Sequence, residues 1–302
     1  MSQLGEMGRF GNQLVQYAFL KTYARTHDLE MQVPPWIGNQ LFGCSDPPIR
    51  KHLPSFRDPC LDEPHRVGIP FMEEPLCNTD VLGYFQYHTA YYAPHRDYIR
   101  SLFRPLPAVA KQLQPAVERL RGKGRTVVAL HIRRGDYGYR YFYLTPTSWY
   151  LEWLAARWAT FAEPVLLIVS DDLDAVVPDF ASYKPVIVRD LHVSLPQAPY
   201  FVDFYLLTQA DVLAIPNSTF SFVAAMLNER LRLAVRSLLS DPLEHPPFRA
   251  FDPWNAEFLD RSAHVANYPN IPGISRPADP APPRGAARWK VWLKSKLLRR
   301  AC

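Results

Sequence analysis

Cysteine is scarce in this chain of 302 residues. The four cysteines, Cys44, Cys60, Cys77 and Cys302, show no C-x-x-C spacing. Four are too few to form a disulfide framework in a chain of this length, and the spacing typical of a structural zinc site is missing. We therefore expect reduced thiols, no structural zinc and a cytosolic setting.

Long apolar runs are also missing. No stretch approaches the roughly 20 consecutive apolar residues of a membrane-spanning helix. Residues 1–20 contain no uninterrupted apolar core and include Glu6 and Arg9, a pattern that argues against a secretory signal peptide. The sequence therefore predicts a protein that is soluble, or attached at most to a membrane surface.

Excess positive charge is absent outside the C-terminal tail. The formal net charge is +5, but residues 286–302 hold six lysines and arginines and no acidic residue. The remaining basic residues nearly balance the 29 acidic ones. A nucleic-acid-binding domain carries its positive charge on a folded face, so the charge distribution argues against that class of function.

The tail itself has two interpretations. Residues 275–285 form a proline-rich linker that cannot continue a helix, and a basic amphipathic pattern follows over 286–302. The apolar side of that predicted helix consists of Trp289, Trp292, Leu293 and Leu297. Tryptophan beside lysine suits the headgroup boundary of an anionic bilayer, which favours a helix on a membrane surface. In the other interpretation, the same face packs back onto the first domain.

Apolar segments alternate with helical patterns from residue 124 onward. Strands are predicted over residues 126–132, 164–170, 184–190, 211–216 and 231–237. Helices are predicted within residues 143–161, 201–210 and 220–230. Because these strands are apolar on both faces, they indicate a parallel sheet in an α/β fold. Ligands of such sheets bind beyond the carboxyl ends of the strands.

Composition divides the chain into three parts. We predict an N-terminal domain over residues 1–123, a second domain over 124–245 and a C-terminal extension over 246–302. Residues 34–75 are rich in proline and poor in periodicity, so we expect a long loop region there. Long loops in compact proteins are usually functional, which predicts that this region faces a substrate.

Three of the predicted strands end in residues that suit a phosphate ester. The sequences at these ends are His131-Ile132-Arg133-Arg134-Gly135-Asp136-Tyr137, Ser170-Asp171-Asp172 and Asn217-Ser218-Thr219-Phe220-Ser221. Guanidinium groups bind phosphate in a bidentate manner, and hydroxyl groups at a helix start add neutral hydrogen-bond donors. Asp171 or Asp172 could accept a hydrogen bond from a base or a ribose. The pattern predicts a site for a diphosphate ester that lacks a P-loop lysine.

Each of these groups also has a purely structural interpretation. The alternatives are an ion pair of Arg134 with Asp136, helix caps at Asp171, Asp172, Asn217 and Ser218, and a core histidine with satisfied hydrogen bonds at His131. All of these groups fall at strand ends of one predicted sheet. Because ligands bind at such an edge, this shared position favours a binding site over four unrelated structural roles.

A second candidate site lies near the start of the chain, in Gly8-Arg9-Phe10-Gly11-Asn12-Gln13. Gly8 and Gly11 allow another group to approach the main chain closely, and Asn12 is a favourable N-cap for the helix that follows. Free N–H groups at such a helix start suit an anion or a sugar hydroxyl. The alternative is a tight connection that caps a helix and binds nothing.

Six motifs occur in an order that resembles the α-1,2-fucosyltransferases, a group similar to glycosyltransferase family 11. They are GRFGNQLVQYA, GYFQYHTAYY, HIRRGDY, LTPTSWY, VSDD and IPNSTFSFVAAML, within residues 7–240. HIRRGDY together with NSTFS is a specific combination. The resemblance implies a GT-B-like fold of two Rossmann-like domains that face a cleft. It also implies GDP-fucose as a substrate, no metal or other cofactor, and inversion at the sugar carbon.

The resemblance further implies roles for individual residues. Arg133 would neutralise the β-phosphate of GDP as it leaves, while Arg9 and Asn12 would face the sugar donor from the first domain. Asp136 is one candidate for the base that activates the acceptor hydroxyl, and Glu6 is another. The residues implied to bind the sugar donor are Gly11, Gln13, His131, Arg134, Asp171, Asp172, Ser218, Thr219, Phe220 and Ser221.

The implied reaction is transfer of L-fucose to a glycan hydroxyl, with an α-1,2 linkage to a galactoside. The acceptor would be a glycan or a lipid-linked glycan. The tail would hold the enzyme near it, in the cytoplasm or on the inner face of a membrane.

Two alternative functions stay open at the level of sequence. Asp172-Leu173-Asp174 resembles the D-x-D pattern of a metal-dependent GT-A glycosyltransferase, in which carboxylates hold a cation on a nucleotide diphosphate. The chain could also be a module that binds a nucleotide sugar or a glycan without turnover.

Overall fold

A computed structural model of the chain describes residues 1–61, 66–139, 141–238 and 248–261. The predicted helix over 286–302 and its proline-rich linker lie outside these described residues. Cys44, Cys60 and Cys77 are free thiols. Within the described ranges, no helix combines the length and the apolar character that crossing a bilayer requires.

The N-terminal part is mainly helical. In chain order its elements are α1 (Phe10–Thr26), α2 (Ile37–Phe42), β1 (Ser55–Arg57), β2 (Asp80–Leu82), α3 (Arg96–Leu102) and α4 (Pro107–Arg121). Strands β1 and β2 pair in parallel. Residues 34–75, which we predicted to be a long loop region, therefore contain α2 and β1. Both elements are too short to produce a recognisable periodic pattern in the sequence.

The second part is built around a single sheet. Its elements are β3 (Thr126–Ile132), α5 (Thr147–Arg157), β4 (Pro164–Ser170), α6 (Leu173–Val176), α7 (Pro199–Leu207), β5 (Val212–Ile215), α8 (Thr219–Leu227), β6 (Leu233–Ser237) and β7 (Phe248–Ala250). The strand order is β4-β3-β5-β6-β7. Neighbouring strands run parallel, except that β7 is antiparallel to β6. The predicted parallel α/β sheet is confirmed.

The central strands are buried on both faces. Every residue of β3 is buried, which explains why its sequence shows no alternation of apolar and polar residues. Val127 and Ala129 belong to one apolar cluster, and Val128 and Leu130 belong to a second cluster on the other face. Because both faces are covered, polar side chains that bind a ligand must lie at the ends of the strands.

The predicted strand over residues 184–190 is wrong. In this fully described segment only Val186 pairs with β4, at a single bridge. Asp190 Oδ2 then accepts a hydrogen bond of 2.9 Å from the N–H of Ile187, and the chain turns into a 3₁₀ helix over Val188–Leu191. The Asp190 side chain thus binds the backbone of a nearby residue, and this local hydrogen bond competes with strand pairing.

Helix α1 connects the two parts through one shared core. Its predicted inner side, which includes Leu14 and Phe19, is fully buried. Phe10 lies 5.1 Å from Phe204 of α7, measured between ring centroids. At Gly11, an added Cβ would lie 2.8 Å from the backbone N and Cα of Phe220. The group that approaches the main chain at this glycine is therefore the first turn of α8.

Candidate functional site

Polar side chains meet where β3, β4 and β5 end and where α1 begins. The chain continues from β3 into residues 133–137, from β4 into Asp171 and from β5 into α8. Parallel neighbouring strands end at the same edge of a sheet, so these segments lie side by side. Arg9, just before α1, reaches this edge through an ion pair with Asp136. The candidate site therefore combines residues from both parts of the chain.

Arg133 lies between two carboxylates. Its Nη2 donates to Asp136 Oδ1 at 2.7 Å, and its Nη1 lies 3.0 Å from Asp171 Oδ2. The side chain is only 16% exposed, and its guanidinium carbon lies 5.6 Å from the ring centre of Tyr137. The two carboxylates engage two of the five N–H groups of the guanidinium. The other three have no partner among the residues that the structure describes.

Asp136 is shared by two arginines. While Oδ1 accepts from Arg133, Oδ2 lies 3.1 Å from Nη2 of Arg9. The Arg9 side chain is 68% exposed, so it can move toward a ligand more easily than Arg133. Both carboxylate oxygens are therefore engaged by guanidinium groups. This geometry favours an orienting role for Asp136.

Arg134 does not pair with Asp136, although the sequence left that pairing open. Its Nη1 donates to the backbone carbonyl of Thr145 at 2.9 Å, and its backbone N–H donates to Asp171 Oδ1 at 2.8 Å. Asp171 thus fixes both the backbone of Arg134 and the side chain of Arg133. Arg133, rather than Arg134, forms the ion pair with Asp136.

The two carboxylates of the D-x-D pattern serve separate local contacts. Asp172 is the N-cap of α6 and accepts a hydrogen bond of 3.3 Å from the N–H of Ala175. Asp174 accepts a hydrogen bond of 2.9 Å from Arg189. The capping alternative therefore describes Asp172, whereas Asp171 lies within the arginine cluster.

His131 is a buried, neutral residue behind the site. Its Nδ1 lies 2.7 Å from Ser221 Oγ, and its ring centre lies 5.4 Å from that of Phe220. Burial lowers the pKa of His131 to about 3. The imidazole is uncharged at neutral pH, so it supports the start of α8 by packing and hydrogen bonding rather than by positive charge.

The start of α8 is held by the segment between β3 and α5 and by Asp260, which lies beyond β7. Ser218 is the N-cap, but its side chain makes no capping hydrogen bond. The Tyr137 hydroxyl donates to the carbonyl of Asn217 at 3.0 Å, and burial raises the pKa of this hydroxyl. Asn217 Nδ2 donates to the carbonyls of Tyr141 and Asp260. Asn217 therefore fixes loops. Tyr137 is a half-buried member of the site that was not among the predicted site residues.

Asn12 is not the N-cap of α1. The helix begins at Phe10 with Arg9 as its N-cap, so Asn12 lies in the first turn. Its Oδ1 accepts a hydrogen bond of 2.8 Å from Gln86 Nε2. Gly8, with φ at +80°, adopts a left-handed backbone conformation, and an added Cβ there would lie 2.5 Å from Asn12 Nδ2. The glycine therefore makes room for the asparagine amide.

Gln13 and Gly11 serve the packing of α1 in this structure. Gln13 Nε2 donates to the carbonyl of Gly5 at 3.0 Å and so fastens the turn before the helix. Gly11 lies against the backbone of Phe220, as described above. Contact of either residue with a sugar donor stays a prediction.

Gln86 completes the site, although no motif argument selected it. Its Nε2 donates to Asn12 Oδ1 at 2.8 Å and to Thr219 Oγ1 at 2.9 Å. The residue belongs to the GYFQYHTAYY motif, between β2 and α3. A glutamine in an irregular segment carries no local signal of its partners, so only the tertiary structure reveals this bridge.

No family profile matches the chain. Galactoside α-(1,2)-fucosyltransferase 1 of Aotus nancymaae is 27% identical over 248 residues, and that of Alouatta belzebul is 27% identical over 244 residues. Both matches cover 73% of this chain and 63% of the relative, so the chain spans 63% of the length of these relatives. Its relatives are fucosyltransferases.

Solved fucosyltransferase structures share the fold. NodZ α-1,6-fucosyltransferase soaked with GDP-fucose aligns with a TM-score of 0.55 at 14% identity, over 80% of this chain and 95% of that chain. A variant of Arabidopsis thaliana FUT1 in complex with GDP aligns with a TM-score of 0.53 at 12% identity, over 86% and 76%. The predicted resemblance and the GT-B-like α/β fold are confirmed. The fold is not of the GT-A type that the D-x-D alternative requires.

The candidate site brings together most of the predicted residues. Arg9, Arg133, Asp136 and Asp171 form one connected cluster, Asn12 and Thr219 are joined through Gln86, and His131 is joined to Ser221. Asp172 caps a helix beside this cluster, and Gln13 bonds the turn before α1. The arrangement offers guanidinium and neutral hydrogen-bond donors at one edge of a parallel sheet.

Proposed function

We propose that the chain is a glycosyltransferase that transfers L-fucose from GDP-fucose to a glycan hydroxyl, with inversion at the sugar carbon. The sequence relatives are named galactoside α-(1,2)-fucosyltransferases, and one structural relative was soaked with GDP-fucose. Because the chain spans 63% of the length of those sequence relatives, their activity comes to this chain as a proposal.

The observation that carries the proposal is the position of Arg133. Two carboxylates hold its guanidinium at the end of a buried strand, and three N–H groups remain for a ligand. A planar guanidinium binds two phosphate oxygens at once. Negative charge develops on the β-phosphate as its bond to fucose breaks. Arg133 would stabilise that charge without reorienting, because Asp136 and Asp171 already hold it in place.

The other residues take supporting roles in this proposal. Arg9 approaches the diphosphate from the N-terminal part, tethered by Asp136. Asp136 orients both arginines, and we assign no residue as the base for the acceptor hydroxyl. Donor-binding roles for Gly11, Gln13, His131, Arg134, Asp171, Asp172, Ser218, Thr219, Phe220 and Ser221 stay part of the proposal.

For the product we propose an α-1,2 linkage to a galactoside, on a free or lipid-linked glycan. The printed names of the sequence relatives support this linkage. The fold is compatible with other linkages, since NodZ is an α-1,6-fucosyltransferase.

We also propose that no metal is needed. Asp172 and Asp174, the residues that would hold a cation in the D-x-D alternative, are engaged by a helix N–H and by Arg189.

Domain roles and location complete the proposal. Residues 1–123 would form the acceptor side, 124–245 would bind GDP-fucose, and 246–302 would be an extension whose basic helix lies on the inner face of a membrane in the cytoplasm. The separation of charge between body and tail supports this location.

The experiment that tests the function incubates the full chain with GDP-fucose and galactoside-terminated glycans. We expect GDP release, a product with an α-1,2 linkage by NMR, and an unchanged rate in EDTA. Binding of GDP-fucose without consumption with any acceptor would favour the non-catalytic alternative. Loss of the rate in EDTA would contradict the metal-independent reaction.

A further inference from the structure

Gln86 links the two parts of the chain at the candidate site. One side-chain nitrogen, Nε2, donates to Asn12 Oδ1 in α1 and to Thr219 Oγ1 in the first turn of α8. The three residues come from distant parts of the sequence, and all are at least partly buried. The bridge shares no residue with the ion pairs of Arg9, Arg133, Asp136 and Asp171.

The direction of these hydrogen bonds determines what Asn12 and Thr219 can offer a ligand. Both N–H groups of the Gln86 amide are used, one for each partner. Asn12 therefore accepts through Oδ1, which leaves the two N–H groups of its Nδ2 as donors. Thr219 accepts through Oγ1, which leaves its O–H as a donor. The bridge thus presents both residues as hydrogen-bond donors.

These donors lie beside the residues that form the arginine cluster. Asn12 Nδ2 lies against Gly8, next to Arg9, and it has no acceptor among the described residues. Thr219 follows Ser218, the N-cap that makes no side-chain capping bond, at the positive end of the α8 dipole. An oxygen-rich anion or a sugar hydroxyl could accept hydrogen bonds from both groups.

We propose that Gln86 is a positioning residue that orients Asn12 and Thr219 as hydrogen-bond donors toward the sugar diphosphate. This inference rests on the proposed function and assigns a further residue to the same site. Gln86 acts through its two neighbours and need not touch the sugar donor itself.

The alternative is that Gln86 only ties α1 to α8. Other contacts also hold α1 against α8. Gly11 brings the two helix backbones together, and Phe10 packs against Phe204 and Phe220. The fold should therefore survive loss of the bridge, which makes the orienting role testable.

The deciding variant is Gln86→Glu. A carboxylate has nearly the same shape as the amide but can only accept hydrogen bonds. Asn12 and Thr219 would turn their donors toward the new carboxylate and away from the ligand. We expect kcat/KM to fall by roughly 10²–10³, the loss typical of removing an oriented hydrogen-bond donor, with a melting temperature close to that of the wild type. Asn12→Ala should likewise impair turnover more than stability.

Two further measurements separate orientation from mere cross-linking. A carboxyl group regains one donor when it is protonated, at an ordinary pKa of about 4.3. The activity of Gln86→Glu relative to the wild type should therefore rise as the pH is lowered from 7 to 5, whereas that of Gln86→Ala should not. Gln209→Glu is the matched control, because Gln209 Nε2 also donates to a threonine, Thr208, but outside the site. It should leave activity unchanged.

Calorimetric titration with GDP-fucose separates failure of this inference from failure of the proposed function. A wild type that binds GDP-fucose but transfers nothing would contradict the transferase, and weaker binding by Gln86→Glu would still support the bridge. Activity of Gln86→Glu within threefold of the wild type, or a loss fully explained by unfolding, would overturn the inference. A wild type that does not bind GDP-fucose would overturn both.

Discussion

Arg133 and Arg134 show how neighbouring identical residues acquire different roles. Consecutive side chains in an extended segment point in opposite directions. Arg133 is directed toward Asp136 and Asp171, whereas Arg134 reaches the backbone carbonyl of Thr145. The first arginine is therefore placed for a ligand at the strand ends, and the second stabilises the loop that leads to α5.

Replacement of Arg133 should remove most of the transfer activity. We expect Arg133→Ala to lower kcat by about 10²–10³ or more, because no other group is held at the same position. Arg133→Lys should not restore it, since a point charge cannot reproduce bidentate contact with phosphate. Steady-state rates with GDP-fucose and a galactoside check this. Arg125→Ala, which removes an exposed arginine, is the control, and a tenth of wild-type activity in Arg133→Ala would exclude the assigned role.

His131 should make stability depend on pH. Its pKa is about 3 in the folded state because it is buried, against about 6.5 in the unfolded chain. Between these values the unfolded state binds a proton that the folded state does not. The free energy of unfolding should therefore fall as the pH drops from 6.5, by up to about 1.4 kcal/mol per pH unit.

Urea unfolding of the wild type and of His131→Gln at pH 7, 6 and 5 isolates this contribution. The variant lacks the titrating group, so the difference in unfolding free energy between the two proteins should shrink or reverse as the pH is lowered. Parallel pH profiles would show that the pKa of His131 is the same in the folded and unfolded states, which would contradict the effect of burial.

At the scale of elements, the contact between α1 and α8 determines the geometry of the site. Arg9 and Asn12 enter the site from the start of α1, and Thr219 enters from the start of α8. Gly11 sets the distance between the two helix starts, since its missing side chain admits the backbone of Phe220. A change at this glycine should therefore displace the residues that enter the site from α1 and from α8 together.

Gly11→Ala should separate these two helices. An added Cβ would lie 2.8 Å from backbone atoms that cannot rotate away. We expect a loss of about 1–3 kcal/mol in unfolding free energy, the usual range for overpacking, despite the better helix propensity of alanine. Urea denaturation measures it. Gly122→Ala, at the end of α4 and with an ordinary helical φ of −67°, should change stability by less than about 0.5 kcal/mol. Equal effects at the two glycines would contradict this account.

At the scale of the whole molecule, one apolar core runs through both parts of the chain, and the sheet is covered on both faces. We therefore expect a ligand to bind at the edge where β3, β4 and β5 end. The tail over residues 286–302 adds a feature of a different kind, since its excess of basic residues has no counterpart in the body.

We expect the tail to bind anionic membranes. Each basic residue near such a surface contributes about 1 kcal/mol, and the tryptophans favour the headgroup region. In flotation with anionic liposomes, the full chain should float, and a version that ends at Arg284 should stay in the dense fraction. With neutral liposomes, both versions should stay in the dense fraction. If the two versions partition alike with anionic liposomes, the tail is not what binds the membrane and this prediction is wrong.

The sequence by itself determined the α/β class, four of the five predicted strands and the polar residues that follow the strand ends. Residues buried on both faces of a sheet form continuous apolar runs, and the polar residues that follow such runs must lie at the edge. Local chemistry was enough for these predictions because each depends on a few consecutive residues.

Only the tertiary structure decided which groups meet. It assigned Asp136 to Arg133, brought the backbone of Phe220 to Gly11, and placed Gln86 between Asn12 and Thr219. It also replaced a predicted strand by the turn that Asp190 caps. Such partners lie far apart in the sequence or compete with equally suitable neighbours. Their choice depends on distances and directions that arise only when the helices and the sheet have packed.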